Sequence, residues 1–567
     1  MNRLLLVMLL VLPVLLCAQY DERQIMLQRA QGLEMRQMYE QANDIYEELA
    51  RQYPGDVNVI DRWVRNLLRL SQEDKAAEVL QANREHLPER QWTQLMLQVQ
   101  LKLGDVKAAH DTAWDFLGRY PGDQAAYQEF ANVFSGYYQP EEAVRLYNAA
   151  RKQADDDKLY ALQLARAYQQ ARKLELALDE YVLHLRGNSG YLHYIASQVR
   201  AILDEDRRQL GHLESLCGAG QPEPLRELLA QAYVHLGEMD RAFGVYETLE
   251  PVKLKRFADE QYAANELGTA LRAYRAYLVR ETRPPMQAEA QVAVARVYSS
   301  MGMPDSTRAV LLRIYHDEEL QSPRMRGSSR ANQVCREMLS DLALSDGDYA
   351  AAERYLQEAM QYTVHPKERE LSELNLLRLV VLLQRYDEAD TRLRQLAESD
   401  DPKLENGVTY LQWMSYWLQD DSYADSLLNT MMIRDPGRES VNDALMLTLL
   451  CIDEDKQTGT IREAVRLHGL RQYTDAAEVL LRTDSPMLAL LAGDWALEAH
   501  DERLATLIFS RQWSDPDLAA QAALRLAQLD SGQSRQERVT TFLNRQPTHP
   551  FSPLFRLLLR GQGAVQP

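Results

Sequence analysis

Cysteine is scarce in this chain of 567 residues. There are 4, at positions 17, 217, 335 and 451, and the last three stand more than a hundred residues apart. No Cys-x-x-Cys pair exists, which leaves no zinc knuckle and no thioredoxin-like redox motif. Three cysteines beyond Cys17 imply no disulfide framework and read as buried apolar thiols. Glycine (25) and proline (21) are low, and phenylalanine (9) is outnumbered threefold by tyrosine (29). Collagen-like and low-complexity classes are thereby excluded, and abundant Ala, Leu, Glu, Gln and Arg favour helix. No run of alternating β-branched residues is long enough to build a sheet. Positive charge is short as well: 64 Lys and Arg against 83 Asp and Glu give a net −19. That balance argues against general binding to nucleic acid, which needs a basic face to release counterions. A local basic groove is still allowed.

The motifs of common chemistry are missing too. The 11 histidines are scattered, without HExxH or HxH, so no catalytic metal is expected. His184 and His193 flank a Gly-Asn-Ser-Gly turn and read as loop histidines rather than a two-His site. There is no GxGxxG, phosphate loop or GxSxG elbow, so no nucleotide cofactor and no α/β-hydrolase are expected. The acidic clusters Asp155-Asp156-Asp157, Asp204-Glu205-Asp206 and Asp453-Glu454-Asp455 lack calcium-loop spacing and read as solvated helix ends.

At the N-terminus, Met1-Asn2-Arg3 precedes an apolar run, Leu4 to Leu16, interrupted only by Pro13. The run is too short for an ordinary membrane span and suits a signal-peptide core over residues 1–18. Cleavage after Ala18 would leave Gln19 first, although Leu16 is large for that site. Lipidation of Cys17 is the alternative, with Leu16 again a poor neighbour; an uncleaved segment is the third. The expectation is export across a bacterial-type inner membrane, to a periplasmic or outer-membrane-attached life. A membrane enters only through the anchor at Cys17.

What is abundantly present is repetition. Ala42, Ala76, Ala109, Ala143 and Ala177 are separated by 34, 33, 34 and 34 residues. One helical turn after each stands Tyr46, Leu80, Ala113, Tyr147 or Tyr181, on the same face. Tyr53-Pro54-Gly55-Asp56 returns as Tyr120-Pro121-Gly122-Asp123. Gly104, Gly237, Gly302 and Gly347 each sit five residues before the second-helix marker, where a tight turn wants positive φ. Each unit reads as two amphipathic helices closely packed through small residues, with an aromatic in the groove between them.

This pattern resembles the tetratricopeptide repeat, whose thirty-four-residue unit carries small, aromatic and proline positions at these offsets. The clearest copy runs from Leu229-Ala230-Gln231-Ala232-Tyr233 through Gly237, Ala242 and Tyr246 to Leu249. The resemblance implies an all-α fold, a right-handed α-solenoid superhelix of roughly a dozen helix pairs, covering about 25–530. The expected divisions are a leader (1–18), an N-terminal array (19–190), an atypical helical connector (191–224), a central array (225–400) and divergent repeats with a tail (401–567). Arg283-Pro284-Pro285 and Gln321 to Ser329 read as longer loops, and Pro547, Pro550 and Pro553 end the pattern before a short apolar helix.

Stacked pairs present their first helices to a concave groove. Counting back 11 and 7 residues from each Ala marker puts Arg65 and Arg69, Gln98 and Lys102, Asn132 and Gly136, then Arg166 and Gln170 on that groove. None is a carboxylate, although Asp61 lies one turn before Arg65. Two readings stand: a groove for an extended acidic or carboxylate-ended segment, or solvated helix surface paired with neighbouring acids. The stripe does not reproduce the Lys/Asn carboxylate clamp of chaperone-binding relatives. Trp413 and Trp417 read as core. A cell-wall lytic enzyme with a helical superhelix is the enzymatic alternative. Glu214-Ser215 and Glu439-Ser440 are Glu-Ser pairs, but neither has the flanking catalytic segment, and too few residues follow 530 for a catalytic domain. The expected function is a non-catalytic scaffold of the bacterial envelope that binds other proteins or peptides, with no cofactor, or else a lipid-anchored accessory of outer-membrane assembly or secretion. The oligomeric state stays open.

Overall fold

In a computed structural model, residues 22–322, 330–363, 366–397, 402–434 and 436–559 are described. The leader, Cys17 and the loop core after Ser322 lie outside them. Among the described residues every regular element is helical, and no helix is long and apolar enough to cross a membrane. The chain is a stack of tetratricopeptide-like helix pairs in two compact units, residues 1–249 and 250–567. The division falls between Leu249 and Glu250. Residues Leu192–Glu205 and Gln209–Cys217 are helical, with Ile195, Val199, Ile202 and Leu213 buried, but they pack mainly on the helices Leu174–Gly187 and Glu223–His235 and only slightly on each other.

The first unit stacks seven pairs among its described residues, from 22–35 with Tyr39–Gln52 to Glu223–His235 with Met239–Tyr246. The Ala markers at 42, 76, 109, 143 and 177 are all fully buried, as are Tyr46 and Tyr181. A methyl there lets the paired helices approach, and the ring one turn later fills the groove. Turn geometry follows the same period. The residue five before each marker has a left-handed backbone: Gly104 (φ +82°), Gly237 (+74°), Gly302 (+68°) and Gly347 (+76°). Ser71, Tyr138, Arg172, Asn265, Gln384, Arg471 and His500 adopt the same conformation at the equivalent place, with φ between 55° and 61°. Asp56 and Asp123 of the two Tyr-Pro-Gly-Asp copies cap the following helices: Asp56 accepts from the Asn58 and Val59 amides (3.0 and 3.2 Å), Asp123 from Ala126 (3.1 Å).

The second unit starts as regularly, with Pro251–Ala263 and Leu267–Arg280. Pro284 and Pro285 open the helix Pro284–Ser300 rather than forming a loop, because proline at the first helical position forfeits no hydrogen bond. The expected loop at 321 is preceded by a short helix, Glu318–Gln321, fastened by buried Arg336. That guanidinium lies between the Tyr315 and Tyr362 rings (4.8 and 4.0 Å) and reaches Gln321 Oε1 (2.8 Å), the Asn332 carbonyl (3.2 Å) and Glu358 (3.3 Å).

After Leu396 the linear order breaks down. The turn between Thr458–Gly469 and Tyr473–Leu480 packs on the turn edge of much earlier pairs. Gln472 Nε2 donates to the Leu344 carbonyl (2.5 Å), Arg471 pairs with Asp341 (2.9 Å), and Arg466 donates to the Leu382 carbonyl (3.3 Å). Gly469 makes room: a Cβ there would lie 2.8 Å from the Leu382 side chain. His500 likewise lies beside Gly302. A solenoid in which each repeat meets only its neighbours does not make such contacts. The end is closed by Ser552–Leu559, whose Phe555 stacks on Phe542 with centroids 3.9 Å apart.

Candidate binding grooves on the first helices

In the first unit the seven groove residues separate into three groups. Arg65 holds Asp61 with two nitrogens (2.9 and 3.1 Å) and reaches Gln98 Oε1 with a third (3.5 Å). Gln91 donates to the same Asp61 (3.2 Å). Gln98 and Asn132 then line one shallow cleft of about 470 Å³ with Gln94, Glu129 and Gly136. The counting rule therefore brings Arg65, Gln98 and Asn132 together. Asn132 does a second job there, accepting from the hydroxyl of buried Tyr147 (3.0 Å), whose pKa burial pushes up to about 12. Arg69 sits apart, 3.8 Å from Glu34 of the preceding pair and over the Tyr39 ring. Arg166 donates to the Tyr194 hydroxyl of the next pair (2.8 Å), and Gln170 is exposed at its helix end. Lys102 is exposed with no ion pair among the described residues.

The counted positions carry no carboxylate, but acids flank them more closely than Asp61 alone suggests. Asp61, Glu34 and Glu129 stand among them, supplied by positions one turn away or by the neighbouring pair. Three of the four cations are engaged, so they join repeats as well as facing solvent.

A second cleft, of about 510 Å³, lies on the first helices of the second unit. Its floor is Val292, Ala293, Ala331 and Val334, and its rim carries Lys255, Asp259, Glu289, Arg296 and Arg330. Asp259 is satisfied on two sides, by Lys255 (2.9 Å) and by the Tyr274 hydroxyl (2.6 Å). Tyr274 is itself held protonated, its pKa raised by burial and then by Asp259. Arg296 and Arg330 are exposed and make no side-chain hydrogen bond or ion pair among the described residues. Their field reaches Glu337, whose burial raises its carboxyl pKa. Two open guanidiniums above an apolar floor suit an extended segment with a carboxylate and a small apolar side chain.

The same counting rule finds this cleft when carried further along the chain. Eleven residues before Ala270 and Thr307 stand Asp259 and Arg296. Applying it only to units two to five missed them. The next such position, before Ala352, is Asp341. Arg471 takes it, so the fold-back occupies the row at that point. Burial raises the Asp341 carboxyl and Arg471 opposes the rise.

The remaining candidates are accounted for locally. Glu214 pairs with Arg241 (2.7 Å) and Ser215 donates to the His212 carbonyl (2.7 Å). Glu439 is exposed at a helix start. Cys217, Cys335 and Cys451 are free and buried, with the first two thiols pushed to about 12 by burial. His184 packs edge-on against Tyr191. Among the described residues no group of three or more His, Cys, Asp or Glu is placed to hold a metal. Trp413 and Trp417 are buried and stacked, 5.6 Å between centroids.

No family model matches the chain, and no curated protein does. Among solved structures, "Crystal structure of APC/C hetero-tetramer Cut9-Hcn1" is similar at 15% identity, covering 75% of this chain and 96% of that one, with a TM-score of 0.28. "Structure of Naa15/Naa10 bound to HypK-THB" is similar at 11% identity, over 95% and 100%, with a TM-score of 0.25. The grooves are therefore read from their own residues.

Proposed function

We propose that the chain is a non-catalytic scaffold that holds an extended, acidic segment of a protein partner against its first helices. One observation carries the reading: among the described residues Arg296 and Arg330 stand without ion pairs over an apolar floor where three successive first helices converge. In a chain of net charge −19, two uncommitted guanidiniums in a cleft favour a negatively charged guest. The first-unit cleft around Gln98 and Asn132 is a separate candidate site, its amides suited to the main chain of an extended segment. Each charge-assisted contact contributes about 1–3 kcal/mol. Changing Arg296 and Arg330 together to Glu should abolish capture of partners from a periplasmic extract while helicity is unchanged. The same partners recovered in the same amount would refute the reading.

The envelope setting is part of the proposal and rests on residues 1–18. Attachment through Cys17, as an outer-membrane or secretion accessory, is the competing reading. Mass spectrometry of the mature N-terminus separates them: Gln19 supports the released form, a diacylglyceryl Cys17 the anchored one, and an intact Met1 neither.

A further inference from the structure

The helix Glu439–Asp453 is the odd one in the second unit. It follows the second helix Tyr423–Arg434 and precedes the first helix Thr458–Gly469, so it has no second helix of its own. One side is packed: Val441, Ala444 and Cys451 are buried in the unit's core. The other side carries Glu439, Asn442, Met446, Leu449 and Asp453, with Asp443 at its edge, followed by Lys456 on the single turn Asp455–Gln457, and all of these are exposed. Met446 and Leu449 are 59% and 48% exposed, and Ile452 beside them 65%. From Glu439 to Asp453 the steps run 3, 4, 3, 4, so these five residues share one face of the helix, with Lys456 on the turn beyond its end.

We propose that this face is covered by the same helix of a second copy of the chain, running antiparallel about a two-fold axis. The order of chemistry along it decides the occupant. Reversed on itself about its midpoint, the row sets Met446 against Leu449, Asn442 against Asp453 and Glu439 against Lys456. Every contact then occurs twice: apolar at the centre, amide to carboxylate further out, opposite charges at the ends. A parallel pairing would instead oppose Glu439, Asp453 and Lys456 each to its own like charge. The row is complementary to its own reverse, which is what a two-fold interface requires. This inference does not depend on the grooves, which lie on other helices.

Sedimentation of the full chain tests it. The wild type should be a dimer in the micromolar range, with a two-fold mass by light scattering. Leu449→Lys, at an exposed position, should raise the dissociation constant about 100-fold or more by setting a charged amine against Met446 at both central contacts. Glu439→Lys and Lys456→Glu should each weaken the dimer about tenfold, and the two together should restore it, since the end pair is only reversed. Circular dichroism checks that the variants stay folded. A monomeric wild type overturns the proposal, as does a double reversal no tighter than the singles. A monomer that takes up an added amphipathic helix on Met446 and Leu449 overturns it too, by naming another occupant.

Discussion

Replacing Arg336 with Met should be among the most damaging single changes to the second unit that leave its apolar core intact. The Arg336 side chain is 5% exposed, and its nitrogens serve Gln321, Asn332, the Tyr362 hydroxyl and Glu358. Methionine fills most of the volume but satisfies none of these groups. Four polar contacts at about 1 kcal/mol each and two ring faces at about 0.5–1 kcal/mol each set an upper value of about 5–6 kcal/mol. Glu358 is 26% exposed, so water recovers part of its solvation, and about 3–4 kcal/mol remains, within the range for breaking a buried pair. The loss should be local, because the network ties Glu318–Gln321 and Tyr349–Gln361 to Ala331–Ser345. Hydrogen exchange read by mass spectrometry should show faster opening of these helices, with Val57–Arg69 in the first unit unchanged. Arg336→Lys keeps the charge but not the planar fork, and should fall between. A loss under 1 kcal/mol for Arg336→Met would refute the assignment of this network as the fastening of the inserted segment.

Two further tests probe the repeat grammar and the acid side. Gln384 and Tyr138 occupy left-handed turn positions at φ 61° and 58°; replacing either with Gly should stabilise its unit by about 0.5–1 kcal/mol in urea unfolding, and a loss of stability would show that the side chain makes a contact worth more than the strain. Asp206 titrates at about 2, because the Arg208 side chain and then Gln209 donate to its carboxylate. A depressed folded value means its contribution is fully present above the unfolded value near 4 and fades as pH falls toward 2; Asp206→Asn should flatten that limb of the pH–stability curve, and an unchanged limb would show the ion pair does not persist in solution.

The local grammar of this protein was legible in the chain itself. Alanine at a period of 34, a ring one turn later, and glycine five residues before are all local signals, because the groups they bring together lie within one or two helices of each other. They located the pairs and the turns, and Gln98 and Asn132 line one cleft. Which of those side chains stays open was a tertiary decision. Arg69 meets Glu34 and Arg166 meets Tyr194 only because neighbouring pairs stack at a particular offset. Arg296 and Arg330 are open although acids stand near them: Asp259 is held by Lys255 and Tyr274, and among the described residues Glu289 shares the rim without pairing with either arginine. The fold-back lay furthest out of reach. Asp341 and Arg471 are 130 residues apart, and nothing periodic links them, since their contact depends on Gly469 admitting Leu382 and on where the array turns back. Period and propensity act over a few turns of helix, so they set the pairs; the meeting of distant turn edges is fixed only when the whole unit packs.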